Sequence, residues 1–174
     1  MPALNNAAKA IEFILVLVCA LPAEEGLASC YESVGAVRHR FQLSEGEAVD
    51  RKTGLTWKRC SVGKVWEGRY GCAGETKFVS LDEAKKVAKA EGPAWHVPSG
   101  PELESIIDVG CGMPVVDTVV FPDIKADEDG TANYWTTNEV GAANLVYFFD
   151  FMTGAADGHS RGFHLAVRLV KAAR

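Results

Sequence analysis

The chain is poor in the features that mark metal and nucleic-acid chemistry. It has four histidines and no C-x-x-C pair, and no histidine sits at ligand spacing from a cysteine, so the usual structural zinc patterns are excluded. Asp and Glu number 23 against 18 Lys and Arg, a formal net charge of -5 at pH 7. That balance lacks the basic footprint of a nucleic-acid binder and disfavours an anionic polysaccharide. No stretch reaches the roughly 20 consecutive apolar residues that span a bilayer. No repeat and no low-complexity linker is evident along the chain.

What is present begins with a leader. Lys9 precedes a compact apolar run from Phe13 to Leu21, followed by Pro22 and Ala23. A basic start, a short apolar stretch and a small-residue cleavage zone read as a signal peptide over residues 1–23, with Ala20, Ala23 and Ala28 all open as cleavage points. Residues 24–174 are then expected to form a single domain of an exported protein, periplasmic or extracellular. Leu27-Ala28-Ser29-Cys30 resembles a lipoprotein box, but Glu24 and Glu25 separate it from the apolar run, so a lipid anchor on Cys30 is not expected.

Cys19 would leave with the leader, and Cys30, Cys60, Cys72 and Cys111 remain. An even number in an exported chain points to two disulfides, and four cysteines allow three pairings. Proximity favours Cys60 with Cys72. Cys30 with Cys111 then follows by elimination.

Local signals place the elements. Phe41–Leu43, Ala48–Asp50 and Leu55–Arg59 read as strands, the last two joined by a turn over Asp50–Gly54, where Asp can bond its own backbone and Gly can take positive φ. Ser80 with Glu83 makes a capping box for a helix striped by Leu81, Ala84, Val87 and Ala88 and stopped by Gly92-Pro93. A short strand over Trp95–Val97 follows. A second capping box, Ser99 with Glu102, opens a helix carrying Leu103, Ile106 and Ile107 and ending near Asp108. Tyr134–Thr137 reads as a strand, and Leu145–Phe151 as a central strand covered on both faces. Phe163–Val170 alternates, with Leu165, Val167 and Leu169 on one face and His164 and Arg168 on the other. The expected class is α+β, two short helices packed on a mainly antiparallel, disulfide-tied sheet.

Catalytic patterns are sparse. Gly158-His-Ser-Arg-Gly162 matches a nucleophile elbow on paper, but a strand pattern follows it and no Asp or Glu lies downstream of Ser160, so a hydrolase triad is not expected. Asp123, Asp127, Asp129, Gly130 and Asn133 form an acidic loop. Lys125 and Thr136 stand where an EF-hand needs acids, which leaves only a looser Ca²⁺ site at Asp127 and Asp129. Trp57, Trp66, Trp95 and Trp135 could stack on sugars, although core burial is the default for aromatics. Trp66, beside Gly63 and Gly68 inside the Cys60–Cys72 loop, is the one expected to be partly exposed. The candidate ligand-binding residues are therefore Trp66, Trp135, Asn138 and Glu139.

One ordered set of motifs carries a resemblance: D-R-K-T-G-L-T-W-K-R-C at 50–60, W-x-G-x-x-x-C at 66–72, W-H-V-P-S-G-P-E-L-E-S-I-I-D at 95–108, C-G-M-P-V-V-D at 111–117, F-P-D at 121–123, Y-W-T-T at 134–137 and V-R-L-V-K at 167–171. Together they resemble the Lcl-type C-terminal domain, the globular end of a bacterial collagen-like adhesin. The resemblance implies a compact fold akin to C-type lectin-like domains on a secreted or surface protein, with no known catalytic mechanism. Two departures stand out. No collagen-like G-x-y tract precedes the domain, and His96 stands where family members usually carry Arg. The expected function is an exported, non-enzymatic binding domain for a surface glycan or partner protein. The alternative is a structural cell-envelope subunit. No catalytic residue and no nucleic-acid partner are expected, Ca²⁺ is the one cofactor left open, and oligomeric state is not indicated.

Overall fold

The computed structural model describes residues 40–141 and 144–172. The expected leader and the Cys30 half of the second disulfide lie outside the described residues. The first sheet is a four-stranded antiparallel layer of order β1-β2-β3-β9, from β1 (Phe41–Ser44), β2 (Glu47–Asp50), β3 (Leu55–Lys58) and β9 (Val170–Ala172). A two-stranded ribbon joins β4 (Val65–Trp66) to β5 (Cys72–Ala73), and a second antiparallel sheet runs β6 (Asn133–Val140), β7 (Leu145–Asp150), β8 (Ala156–Ser160). Helices α1 (Leu81–Glu91) and α2 (Gly100–Glu104) complete an α+β architecture. Among the described residues no helix is long and apolar enough to cross a membrane.

Both helices start where their capping boxes predict. Each serine hydroxyl accepts from the third helical N–H, and each glutamate accepts from the cap N–H. The second helix is shorter than expected. Beyond Glu104, Ile106 and Ile107 donate to carbonyls three residues back, so the helix tightens and ends before Asp108. Asn138 Oδ1 accepts from the first α2 N–H, that of Gly100, at 2.6 Å, tying this helix to β6.

The interior divides into two clusters. Phe41, Trp57, Leu103, Phe121, Tyr134 and Phe151 form one, and the α1 stripe of Leu81, Ala84 and Ala88 packs with Trp95, Trp135, Val146 and Leu169 in the other. The segment 165–170 runs between them. Leu165, Val167 and Leu169 enter the second cluster, while Ala166 and Val170 enter the first. This corrects one expectation. Phe163–Val170 is not a continuous strand but makes single bridges at Leu165 and Ala166 before β9 begins. Both sides of the segment are covered, and the Arg168 side chain is fully buried. Trp95–Val97 is likewise reduced to one bridge, His96 with Val170. β7 is the central strand of its sheet, as its apolar run suggests, but Tyr147 keeps one face partly open.

One local motif recurs across the chain. At D-R-K-T-G (50–54) the Asp50 carboxylate accepts from the Lys52 N–H and the Thr53 hydroxyl, and the Gly54 N–H donates to the Asp50 carbonyl. At D-F-M-T-G (150–154) Asp150 accepts from the Met152 N–H and the Thr153 hydroxyl, with Gly154 closing on Asp150. The same three hydrogen bonds thus turn β2 into β3 and β7 into β8. The glycines sit at φ +71° and +78°, which only a residue without Cβ takes at no cost.

Candidate functional site

Cys60 and Cys72 are joined in a disulfide, as proximity in the sequence suggests, and Cys111 is also disulfide-bonded. The 60–72 bridge closes the β4–β5 ribbon, whose ladder pairs Val65 with Ala73 and Trp66 with Cys72. A short 3-10 turn over Gly68–Tyr70 forms its tip.

Trp66 is half-buried, as its place in this loop predicts. The Arg59 guanidinium lies 3.7 Å from the centre of its ring. That cation is itself immobilised, donating to the carbonyls of Glu45 (3.0 Å), Val119 (2.9 Å) and Val120 (3.1 Å). Burial lowers the Arg59 pKa, with the Asp117 charge partly opposing the shift; a guanidinium stays protonated regardless. Gly46 also approaches the base of this side chain so closely that an added Cβ would stand 2.9 Å from Trp66 Cβ. The indole is therefore fixed by a cation–π contact and by a turn that has room only for glycine.

Trp66 lines an open cleft of about 600 Å³ with Glu45, Glu47, Lys58, Lys64 and Glu91. The charges at one end neutralise one another. Lys58 Nζ lies 3.2 Å from Glu91 and 3.8 Å from Glu47, and Lys171 Nζ lies 2.9 Å from Glu47. Both ammonium groups also sit over the Trp95 ring, at 4.6 and 4.2 Å. Among the described residues the Glu45 carboxylate and the Lys64 ammonium have no side-chain partner. These charged residues carry no motif in the sequence. The β1–β2 turn, the end of β3, the disulfide loop and the last turn of α1 bring them together.

The other candidates fall elsewhere. Trp135 is corrected from ligand residue to core: it is fully buried in the second cluster, and its indole N–H donates to the Val79 carbonyl at 2.9 Å. Asn138 spends its carbonyl oxygen on α2, and Glu139 pairs with Arg161 at 2.8 Å. Neither lines the Trp66 cleft. Asp127 and Asp129 line a separate cleft of about 640 Å³. There Asp127 uses both oxygens to staple its loop, accepting from the Asp129 N–H, the Thr131 N–H and the Thr131 hydroxyl. Among the described residues no group of three His, Cys, Asp or Glu side chains is placed to hold a metal ion. Ser160 ends β8 and is followed by a turn rather than a helix, so the elbow geometry is not formed.

Residues 46–171 match the family model of the Lcl C-terminal domain. That is most of the chain, and the protein belongs to this family. No match is found among curated proteins.

Proposed function

We propose that this Lcl C-terminal domain is an exported, non-enzymatic binding module on a lectin-like scaffold, and that it takes a surface glycan in the Trp66 cleft. One observation carries the reading: an aromatic ring, half-buried and clamped by Arg59, walls an open cleft whose remaining lining mixes apolar side chains such as Val65 and Val87 with charged ones such as Glu45 and Lys64. A rigid aromatic face with a few placed polar groups is the common recipe of a small-ligand site, and it offers apolar contact to the C–H face of a pyranose. A ring held in place before binding also loses little freedom on binding. The short disulfide-closed loop supports an exported location, where such a bond persists.

Two variants and a glycan array test this reading. Wild-type protein is expected to bind at least one glycan on an array read with and without Ca²⁺. Trp66→Ala is expected to lose that binding while melting near wild type, because the ring is only half-buried and Arg59 keeps its three carbonyl acceptors. Trp135→Ala should instead destabilise the fold by about 3–5 kcal/mol, as large-to-small changes in a core do. Binding to no glycan in either condition, or unchanged binding by Trp66→Ala, would overturn the reading.

A further inference from the structure

We propose that Glu45 is the ligand-contacting carboxylate of this cleft, and that the ligand it selects is an uncharged sugar chain presenting adjacent hydroxyl groups. The inference rests on the Trp66 cleft being the binding site.

The β1–β2 hairpin closes through the two residues Glu45 and Gly46. Glu45 sits at φ +47°, in the left-handed region. Such turns are ordinarily filled by Asn, Asp or Gly, which take that conformation with least penalty. A glutamate is a poor choice for the backbone, and its side chain does nothing for the fold. The carboxylate is exposed, and among the described residues it meets no cation and no donor. Its backbone carbonyl, however, accepts from Arg59 Nη1 at 3.0 Å, and the same guanidinium stacks on Trp66. One buried cation thus sets both the residue carrying the carboxylate and the aromatic wall beside it.

The cleft's other carboxylates are already neutralised. Lys58 stands between Glu47 and Glu91, and Lys171 adds a second contact to Glu47. That leaves Glu45 as the acceptor and Lys64 as the donor open to a ligand. A carboxylate accepts from two neighbouring hydroxyls at once, and an ammonium donates to ring or hydroxyl oxygens. A neutral sugar supplies both, along with a C–H face for the indole. A sulfated or uronate chain is repelled where the unpaired Glu45 carboxylate stands.

The test uses titration calorimetry with neutral gluco-, manno- and galacto-oligosaccharides, sulfated and uronate oligomers of the same length, and a lysine-rich peptide. Wild type is expected to bind a neutral oligomer in preference to the charged ones. Glu45→Asn should melt above wild type, because Asn tolerates the left-handed turn, yet bind about tenfold or more weakly, the loss of a hydrogen bond to a charged group. Glu45→Gln should weaken binding similarly with melting unchanged. Wild-type affinity in Glu45→Asn, while Trp66→Ala loses binding, would overturn this inference and leave the cleft assignment standing. Preference for the sulfated, uronate or peptide probe would also overturn it. If Trp66→Ala keeps its affinity, the inference and the cleft assignment fall together.

Discussion

Arg168 and Asp123 meet at 2.6 Å with side-chain exposures of 0% and 1%. Around this pair, Arg168 donates to the Lys58 carbonyl and the Ser61 hydroxyl, and the Ser61 N–H donates to the second Asp123 oxygen at 2.7 Å. The Tyr134 and Ser61 hydroxyls share a further hydrogen bond, at 2.7 Å. Four segments far apart along the chain are tied through one buried charge pair. Removing one partner leaves the other charge buried and alone, so Asp123→Ala is expected to lose about 3–5 kcal/mol in urea unfolding. The double change Asp123→Leu with Arg168→Met should lose less than either single change, because no charge is then stranded.

Acid should expose the same pair. Burial pushes the Asp123 pKa up, but the Arg168 charge and the bonds from Ser61 and Arg168 outweigh it, so its net shift is downward. Asp50 moves the same way: burial raises it, and Arg40, the Lys52 N–H and Thr53 more than offset that. A lowered folded pKa gives stability that is complete above the unfolded value and lost as pH falls through the folded one. Unfolding free energy from these groups should therefore hold down to about pH 4, the ordinary carboxylate range, and drop below it. Urea midpoints measured against pH check this. Asp123→Asn should flatten the acid limb, and a limb as steep as wild type would count against the assignment.

The twin D-x-x-T-G turns predict matched losses. Thr53→Val and Thr153→Val each remove one hydroxyl bond to the turn aspartate, at 2.8 Å in both cases, and each should lose about 1 kcal/mol. The glycines should lose alike. Gly54→Ala meets nothing within 4 Å and suffers only the left-handed backbone penalty, about 1–2 kcal/mol. Gly154→Ala carries the same penalty, and its nearest neighbours, Val115 at 3.4 Å and Ile107 at 3.5 Å, stand at ordinary van der Waals distance. Equilibrium unfolding of the four variants measures these losses.

Replacing Cys60 and Cys72 together by serine opens a loop of sequence separation 12. The expected loss is about 2–4 kcal/mol, mainly through a freer unfolded chain. Because Trp66 pairs with Cys72 across the ribbon, glycan affinity should fall as well. Calorimetric melting and array binding on the same preparation measure both effects.

The most local features are legible in the amino-acid sequence alone. Ser80 with Glu83, Ser99 with Glu102, the Asp50–Gly54 turn and the Cys60–Cys72 bridge all involve groups close along the chain, where residue type and spacing largely settle the geometry. The family motifs are legible for a different reason, their fixed order along residues 46–171.

Other decisions belong to packing. The alternation of 163–170 correctly sets Leu165, Val167 and Leu169 on one face, but nothing in those residues says that the first cluster covers the opposite face and takes Arg168 inside. Trp66 and Trp135 are the same residue type, each beside strand formers; one walls a cleft and the other is core, because α1 covers only the second. The cleft itself draws on positions 45, 47, 58, 64, 66 and 91, which share no spacing. Which charges stand open and which are neutralised depends on the surfaces that distant segments cover, and only the assembled fold specifies that.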